Sequence, residues 1–388
     1  MGNFADRLTL FSLKTRAGIL RKLLALLRRI ETKLAWSADS LFSAKTLFDK
    51  RRYYRHVKWS AERQREFDDY WLTNYGARID SGFHRFFENL TGRYYVDYFS
   101  NQVYLPSLAR KLNDVQMANM CGWKTMLSFF LNNAELGDCI PKHYAYRIRD
   151  FFYDGDRNVV TFDELVAGLA NVGECVLKTS DGAQGSGVSM LDLRDGHDAR
   201  SGRSASEILN SVAGDFVIQE RIKEHPALAR LSPKSINTIR ITTYICEGKV
   251  YHSPIAIRFG VGDSPVDNFH AGGLGIGVKD DGTLLKTARG LKSHSQYVDY
   301  TSNPNNGEPF EGYKIPHMDR VIEFVTKNHG RIPGMGMVSW DVVITEDGKP
   351  MVIEVNLGCQ NIVFAQHLHG RPFFGDNTPK MLKLVKKR

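Results

Sequence analysis

Residues 340–356, WDVVITEDGKPMVIEVN, constrain the fold of this chain more than any other segment. Two apolar runs flank Asp347-Gly348, a dipeptide that favours a two-residue hairpin turn because its backbone can take positive φ. With that turn Glu346 pairs with Lys349, and counting outwards sets Asp341 opposite Glu354. Directly opposed side chains on a hairpin have Cβ atoms roughly 5 Å apart, where like charges are destabilising unless a cation neutralises them. A magnesium ion would do so. Asn356 follows Glu354 by two positions, so strand alternation turns it to the same face while Ile353 and Val355 point to the other. The flanking Val342, Val343, Ile344, Met351 and Val352 make the hairpin apolar on both faces, which argues against a solvated acidic ribbon. Three oxygen donors on one face suit a hard divalent cation that also holds phosphates.

Upstream, the apolar residues 175–177 run into Lys178, then the loop 181–187, DGAQGSG, and the mostly apolar 188–191. This pattern predicts strand, glycine-rich loop, strand. The glycines let the backbone approach a ligand and aim its N–H groups at phosphate oxygens, with Lys178 as a point charge beside them. It is not a P-loop, since the Gly-Lys-Ser/Thr ending is missing and no helical pattern follows. Residues 216–222, FVIQERI, read as an apolar strand that turns polar at its end. Such an exit can offer backbone groups to an adenine edge, and Glu220 or Glu224 could reach a purine amine or ribose hydroxyls. In 235–242 alternation sets Thr238, Arg240 and Thr242 on one face, and 255–260 presents Arg258. Arginines held on strands suit bidentate grips on carboxylate or phosphate, or serve as salt-bridge partners. Residues 267–273, DNFHAGG, form a polar loop able to close over a reacting group.

In this order the segments resemble the ATP-grasp superfamily, and most closely the sugar-transfer-associated ATP-grasp proteins found with capsule and lipopolysaccharide synthesis. The resemblance spans residues 110–375 and rests on Lys178 with its glycine loop, Gln219-Glu220-Arg221-Ile222, residues 237–240 and 268–273, and the set Asp341, Glu354 and Asn356. It implies an α/β (α+β) ATP-grasp fold, two lobes gripping ATP, preceded by a helical N-terminal extension. It also implies two lysines on the nucleotide phosphates, Lys178 and Lys124, the latter opening the apolar helix 125–131. Further ATP contacts are implied at Gly182, Gln184, Gly185, Ser186, Gly187, Gln219, Glu220, Arg221 and Ile222, and Mg2+ at Asp341, Glu354 and Asn356. Arg240, Arg258 and Asn268 fall at catalytic positions. The implied chemistry is attack of a carboxylate on the γ-phosphate of ATP, with the acyl phosphate then taken by an amine. The expected protein is therefore a Mg-ATP-dependent carboxylate–amine ligase of capsular or surface polysaccharide biosynthesis, acting on an amino acid or sugar acid. An ATP-grasp kinase phosphorylating a hydroxyl compound and a non-catalytic scaffold at a glycan-assembly complex stay open.

At 388 residues and 42% hydrophobic, the chain has material for more than one lobe. Its five cysteines are odd in number and lack Cys-x-x-Cys spacing, which argues against a disulfide framework and a zinc site. Cys359, near the acidic set, reads as a small buried thiol. His367 and His369 have no acidic or cysteine partners at metal-ligand spacing. The expected segments are 1–110, a helical extension too aromatic to be a disordered tail; 111–170, leading into the ATP-grasp fold; 171–222, a small lobe with the glycine loop; and 223–388, a large lobe with the metal hairpin. Capping boxes at Thr161 with Glu164 and Ser204 with Glu207 predict helix starts. No secretory pattern opens the chain and no stretch approaches the roughly 18 apolar residues of a membrane span. A cytoplasmic protein is expected, with the basic amphipathic helix 19–30 either at an anionic inner membrane face or packed on the body. The net charge of +9 favours acidic partners. A small-molecule or glycan carboxylate and an amine acceptor are expected, and nucleic acid is not.

Overall fold

The computed structural model describes residues 26–27, 30–31, 33–131, 139–180, 187–293, 296–358 and 360–387. The expected ATP contacts Gly182, Gln184, Gly185 and Ser186, the thiol Cys359 and most of the basic helix 19–30 lie outside the described residues.

Two antiparallel sheets carry the site. The first has β1 (His143–Ile148), β2 (Phe151–Asp154), β3 (Val159–Val160), β4 (Gly173–Thr179), β5 (Val188–Arg194), β6 (His197–Asp198) and β7 (Phe216–Glu220), in the order β3-β2-β1-β7-β4-β5-β6. Lys178 at the end of β4 lies opposite Val188 at the start of β5, as the strand, loop, strand pattern requires. The sheet starts at His143, so the small lobe recruits part of the 111–170 segment rather than beginning at 171. Helices Phe162–Leu169 and Ala205–Ser211 cover one face, packing Leu165, Leu169, Ile208 and Leu209 against Cys175, Leu177, Phe216 and Ile218. Both open on the predicted capping boxes: the hydroxyls of Thr161 and Ser204 accept from the backbone N–H of Glu164 and Glu207, whose carboxylates accept in return. Two orphan donors are thereby satisfied at each helix start.

The second sheet contains β8 (Thr238–Cys246), β9 (Lys249–His252), β10 (Ile255–Phe259), β11 (Leu274–Val278), β12 (Leu284–Ser293), β13 (Gln296–Tyr300), β14 (Met337–Ile344) and β15 (Pro350–Asn356). Its order is β13-β12-β11-β10-β8-β14-β15, with β9 pairing β8 as a hairpin. β14 is buried along its whole length between β8 and β15, which accounts for its mostly apolar composition, interrupted by the buried Ser339 and Asp341. Helix Met318–Asn328 seats Val321 and Val325 in the core on one face. Helix Ile362–His369 covers β11 on the other. Its close approach depends on Gly275, where a Cβ would come 2.8 Å from both Phe364 Cζ and Leu368 Cδ1.

The aromatic N-terminal extension is helical and joins the large lobe. Phe67, Trp71 and Tyr75 of helix Ala61–Tyr75 pack with Tyr244, Met337, Phe374 and Met381, and Phe83, Phe86 and Phe87 of helix Gly82–Thr91 pack with Leu47, Tyr98 and Val363. Each such buried ring contributes roughly 1.5–3 kcal/mol from area alone. Cys121, Cys139, Cys175 and Cys246 are buried free thiols. Among the described residues no helix is long and apolar enough to cross a membrane.

Candidate active site

Asp341 and Glu354 are register partners across β14 and β15, by a route that differs from the expected one. Gly348 N–H donates to Thr345 O at 2.8 Å and Thr345 N–H to Lys349 O at 2.9 Å. The loop is therefore Glu346-Asp347-Gly348, with Gly348 in the left-handed region at φ 79°, and Lys349 pairs with Thr345 rather than with Glu346. A β-bulge then corrects the count: Asp341 faces Glu354 but Val342 faces Val352, leaving Ile353 as the extra residue. The turn displaces the register by one and the bulge restores it. Ile353 consequently lines the cleft instead of pointing away from it.

One cavity of about 1000 Å3 gathers the candidates. The small sheet and its exit supply Lys178, Gln219, Glu220, Arg221 and Ile222; the large sheet and its loop supply Arg240, Arg258, Asn268, Asp341, Glu354 and Asn356. Lys124 also lines it, from a turn ahead of helix Leu127–Leu131, which starts two residues later than the expected 125. Gly187 sits at the root of the glycine loop with φ 71°, so close to Thr179 that a Cβ would lie 2.0 Å from its hydroxyl oxygen.

The Asp341 carboxylate is 5% exposed and bound by two guanidiniums. Arg240 grips it bidentately, through Nε to Oδ1 and through Nη2 to Oδ2 at 2.8 Å, while Arg258 Nη2 reaches Oδ2 at 3.1 Å. Burial pushes this carboxyl up, but Arg240 and Arg258 outweigh it and hold the group below its ordinary value. Arg258 also faces Asp267 at 3.5 Å; burial disfavours its charge, yet Asp341, Asp267 and Glu354 raise it above the ordinary arginine value. Glu354 is raised by burial and by Asp341 against the pull of Lys124, Arg240 and Lys178, and it makes no hydrogen bond to a described residue. Lys124 Nζ donates to Thr179 O at 3.2 Å. Among the described residues, four side-chain cations around the hairpin face, Lys124, Lys178, Arg240 and Arg258, thus meet three carboxylates, Asp341, Glu354 and Asp267. The cation that the opposed acids require is thus supplied for Asp341 by Arg240 and Arg258, while Glu354 stays raised by burial and by Asp341. The surplus of positive charge in a concave site favours an anionic ligand such as a polyphosphate.

Burial brings Lys178 down to about 8, with Lys124 lowering it further and Glu354 opposing. Its ammonium is therefore lost as pH rises through that value. Nucleotide affinity is expected to fall about tenfold between pH 7 and pH 9, since a base one unit above its pKa is roughly one-tenth protonated. Lys178→Arg, which keeps its charge, should flatten the profile; equal pH dependence in both proteins would remove Lys178 from the phosphates.

Among the described residues no group of three or more His, Cys, Asp or Glu could hold a metal ion. The expected set contains two carboxylates and one carboxamide. Asp341 Oδ2 already accepts from Arg240, Arg258 and, at 3.4 Å, Asn356 Nδ2. Asp341 Oδ1 likewise accepts from Arg240 Nε. The oxygens left open are those of the Glu354 carboxylate and the Asn356 carboxamide, hard donors that fit Mg2+ with Asp341 beside them as a carboxylate shared with the arginines.

At the end of β7, Gln219 Nε2 lies 2.6 Å from His143 Nε2, while its buried Oε1 has no partner among the described residues. Glu220 accepts from Lys142 N–H at 2.7 Å, and Arg221 pairs with Glu174 at 2.6 Å. Glu224 is engaged by Asn237: it accepts from its backbone and side chain at 2.7 and 3.0 Å, and burial pushes it up to about 8. Lys50, Tyr297 and His367 also line the cavity, and no local pattern marks Lys50 or Tyr297 for it, while His367 was read only for its lack of metal-ligand partners. Asp267 lay in the predicted loop, but its pairing with Arg258 appears only on folding.

The sequence matches the family described as sugar-transfer associated ATP-grasp over residues 107–377. The chain belongs to that family. This ATP-grasp protein is also similar to solved structures at low identity. They include a D-alanine–D-alanine ligase from Bacillus anthracis (16% identity, TM-score 0.36, covering 71% of this chain and 68% of that one). An L-amino acid ligase from Bacillus licheniformis is 15% identical, with TM-score 0.38, covering 69% of this chain and 49% of that one. The VanG D-Ala:D-Ser ligase from Enterococcus faecalis is 11% identical, with TM-score 0.41, covering 70% and 63%. The chain spans between about half and two thirds of the lengths of these neighbours. No curated protein matches the sequence. The ATP-grasp protein thus has the expected architecture, two sheets flanking a cleft with a helical region ahead of them.

Proposed function

We propose that this ATP-grasp protein is a Mg-ATP-dependent carboxylate–amine ligase working through an acyl phosphate. The observation that carries this reading is the single cavity in which Lys124, Lys178, Arg240 and Arg258 converge on the face bearing Asp341, Glu354 and Asn356. Phosphoryl transfer needs positioning and charge neutralisation more than covalent help from the protein, and these residues are arranged to provide both. Lys124 and Lys178 hold the phosphates, the end of β7 from Gln219 to Ile222 borders the base, and Asn268 and Arg258 face the transferred group. Glu354 and Asn356, with Asp341, would hold Mg2+, which draws charge from phosphate oxygens when bound.

In the reaction a substrate carboxylate oxygen bonds to the γ-phosphorus as the bond to the β,γ-bridging oxygen breaks and ADP leaves with that electron pair. The amine nitrogen then bonds to the acyl carbon, inorganic phosphate departs, and the nitrogen loses a proton. Family membership supports a sugar acid or amino acid as the carboxylate and a small-molecule or glycan amine as acceptor, the product belonging to a surface polysaccharide.

ADP release measured across uronic acids and amino acids, followed by mass spectrometry, tests this. A product heavier by the amine less one water is expected. A phosphorylated product without amide would replace the ligase with a kinase, and calorimetric failure to bind Mg-ATP would leave only a scaffold.

A further inference from the structure

The cavity extends past the triphosphate machinery into a pocket that the N-terminal extension helps to build. Lys50, outside the segment matching the family, is buried at 8% exposure and lines this part. Its ammonium donates to Tyr297 Oη at 2.6 Å and lies 4.4 Å from the centre of the Tyr297 ring. An ammonium has three donors, and among the described residues no carboxylate lies within ion-pair distance of this one. A buried charge so served is costly unless a ligand completes it. Burial lowers Lys50 to about 8, with Asp49 opposing.

A second, independent observation lies beside it. His367 is 1% exposed, lines the same cavity and has an Nδ1 with no hydrogen-bond partner among the described residues. Burial, Arg289 and Lys50 keep it neutral. Its ring lies 5.0 Å from Tyr297 and 5.8 Å from Phe364, and Phe269, next to Asn268, is 6.3 Å from Tyr297. Lys50 is not loosely placed: Tyr53, three residues on, accepts from the Tyr297 backbone N–H at 2.7 Å. The volume of about 1000 Å3 is at the upper end for one ligand, leaving room beside a nucleotide.

We propose that Lys50, Tyr297 and His367 form the recognition subsite for the second substrate, a small organic acid that places its carboxylate or phosphate on Lys50 and a hydroxyl or amine on His367 Nδ1. Phe269 and Phe364 wall its apolar edge. The identity of this ligand as substrate rests on the ligase reading; its binding does not. The N-terminal extension, through Lys50, then shares in setting selectivity with Tyr297 and His367 of the family segment.

Calorimetry on the full chain without nucleotide, using sodium D-glucuronate, L-glutamate, D-glucose 1-phosphate and neutral D-glucose, tests the subsite. At least one anion should bind and glucose should not, and the carboxylate and phosphate probes distinguish the two headgroups. Lys50→Met should weaken that anion about tenfold or more, the scale of a lost charge-assisted hydrogen bond, with Lys50→Arg recovering part of it. Mg-ATP affinity should be the same in Lys50→Met as in the natural protein, which also reports its folding. If Lys50→Met does not fold, Tyr297→Phe, which removes the hydroxyl steadying Lys50, should weaken the anion severalfold. No anion binding by the natural protein, or equal binding by the variant, overturns the proposal. Failure of Mg-ATP to bind while Lys50-dependent anion binding persists overturns the ligase reading instead.

Discussion

Asp341→Asn should lose both activity and stability. The substitution keeps the shape but removes the anion shared by Arg240 and Arg258, whose side chains are only 14% and 15% exposed. Breaking a buried ion pair by removing one partner costs about 3–5 kcal/mol, because the remaining charge stays desolvated without compensation. Against a typical total of roughly 5–15 kcal/mol, that is a large fraction. A marked drop in thermal midpoint is expected, together with loss of substrate-dependent ADP release. A midpoint equal to that of the natural protein would show that the guanidiniums do not depend on Asp341. Unchanged turnover would remove it from the active site.

Glu354→Gln should abolish turnover while leaving the fold intact, which separates the two acids of the hairpin. Glu354 carries a raised pKa, from burial and from Asp341. The sign follows directly. A folded value above the unfolded one means that the proton is held more tightly in the native state, so stability declines as pH rises from the ordinary glutamate range through the folded value. At a pH above both, the ionised carboxylate is a net burden on the fold, and the neutral amide relieves it. The thermal midpoint at such a pH should equal or exceed that of the natural protein. ADP release should fall by about two orders of magnitude or more, as for loss of a principal group stabilising transition-state charge. A destabilised Glu354→Gln, or one that turns over normally, would show that Glu354 is a structural partner of the lysines.

Some of this arrangement was legible locally. The capping boxes at Thr161 and Ser204, the strand pair around the glycine loop and the shared face of Asp341, Glu354 and Asn356 follow from hydrogen-bonding chemistry and alternation within a few residues of chain. Even there the turn type was not: the three-residue loop at Gly348 and the bulge at Ile353 offset each other, so the predicted opposition of the acids arose by a different path. Alternation exposed the face of Arg240 but not its partner, since Arg240 and Asp341 are 101 residues apart and meet only because β8 pairs with β14.

The sequence by itself determined the periodicities, the helix starts and the chemical types available for a phosphate site, because each depends on neighbours along the chain. The tertiary structure decided that arginines as well as lysines balance the acids, that Glu224 is held by Asn237, and that Lys50 of the extension reaches the cavity through Tyr297. Those outcomes depend on which distant strands pair and how deeply each charge is buried. Neither quantity exists until the sheets assemble and exclude water.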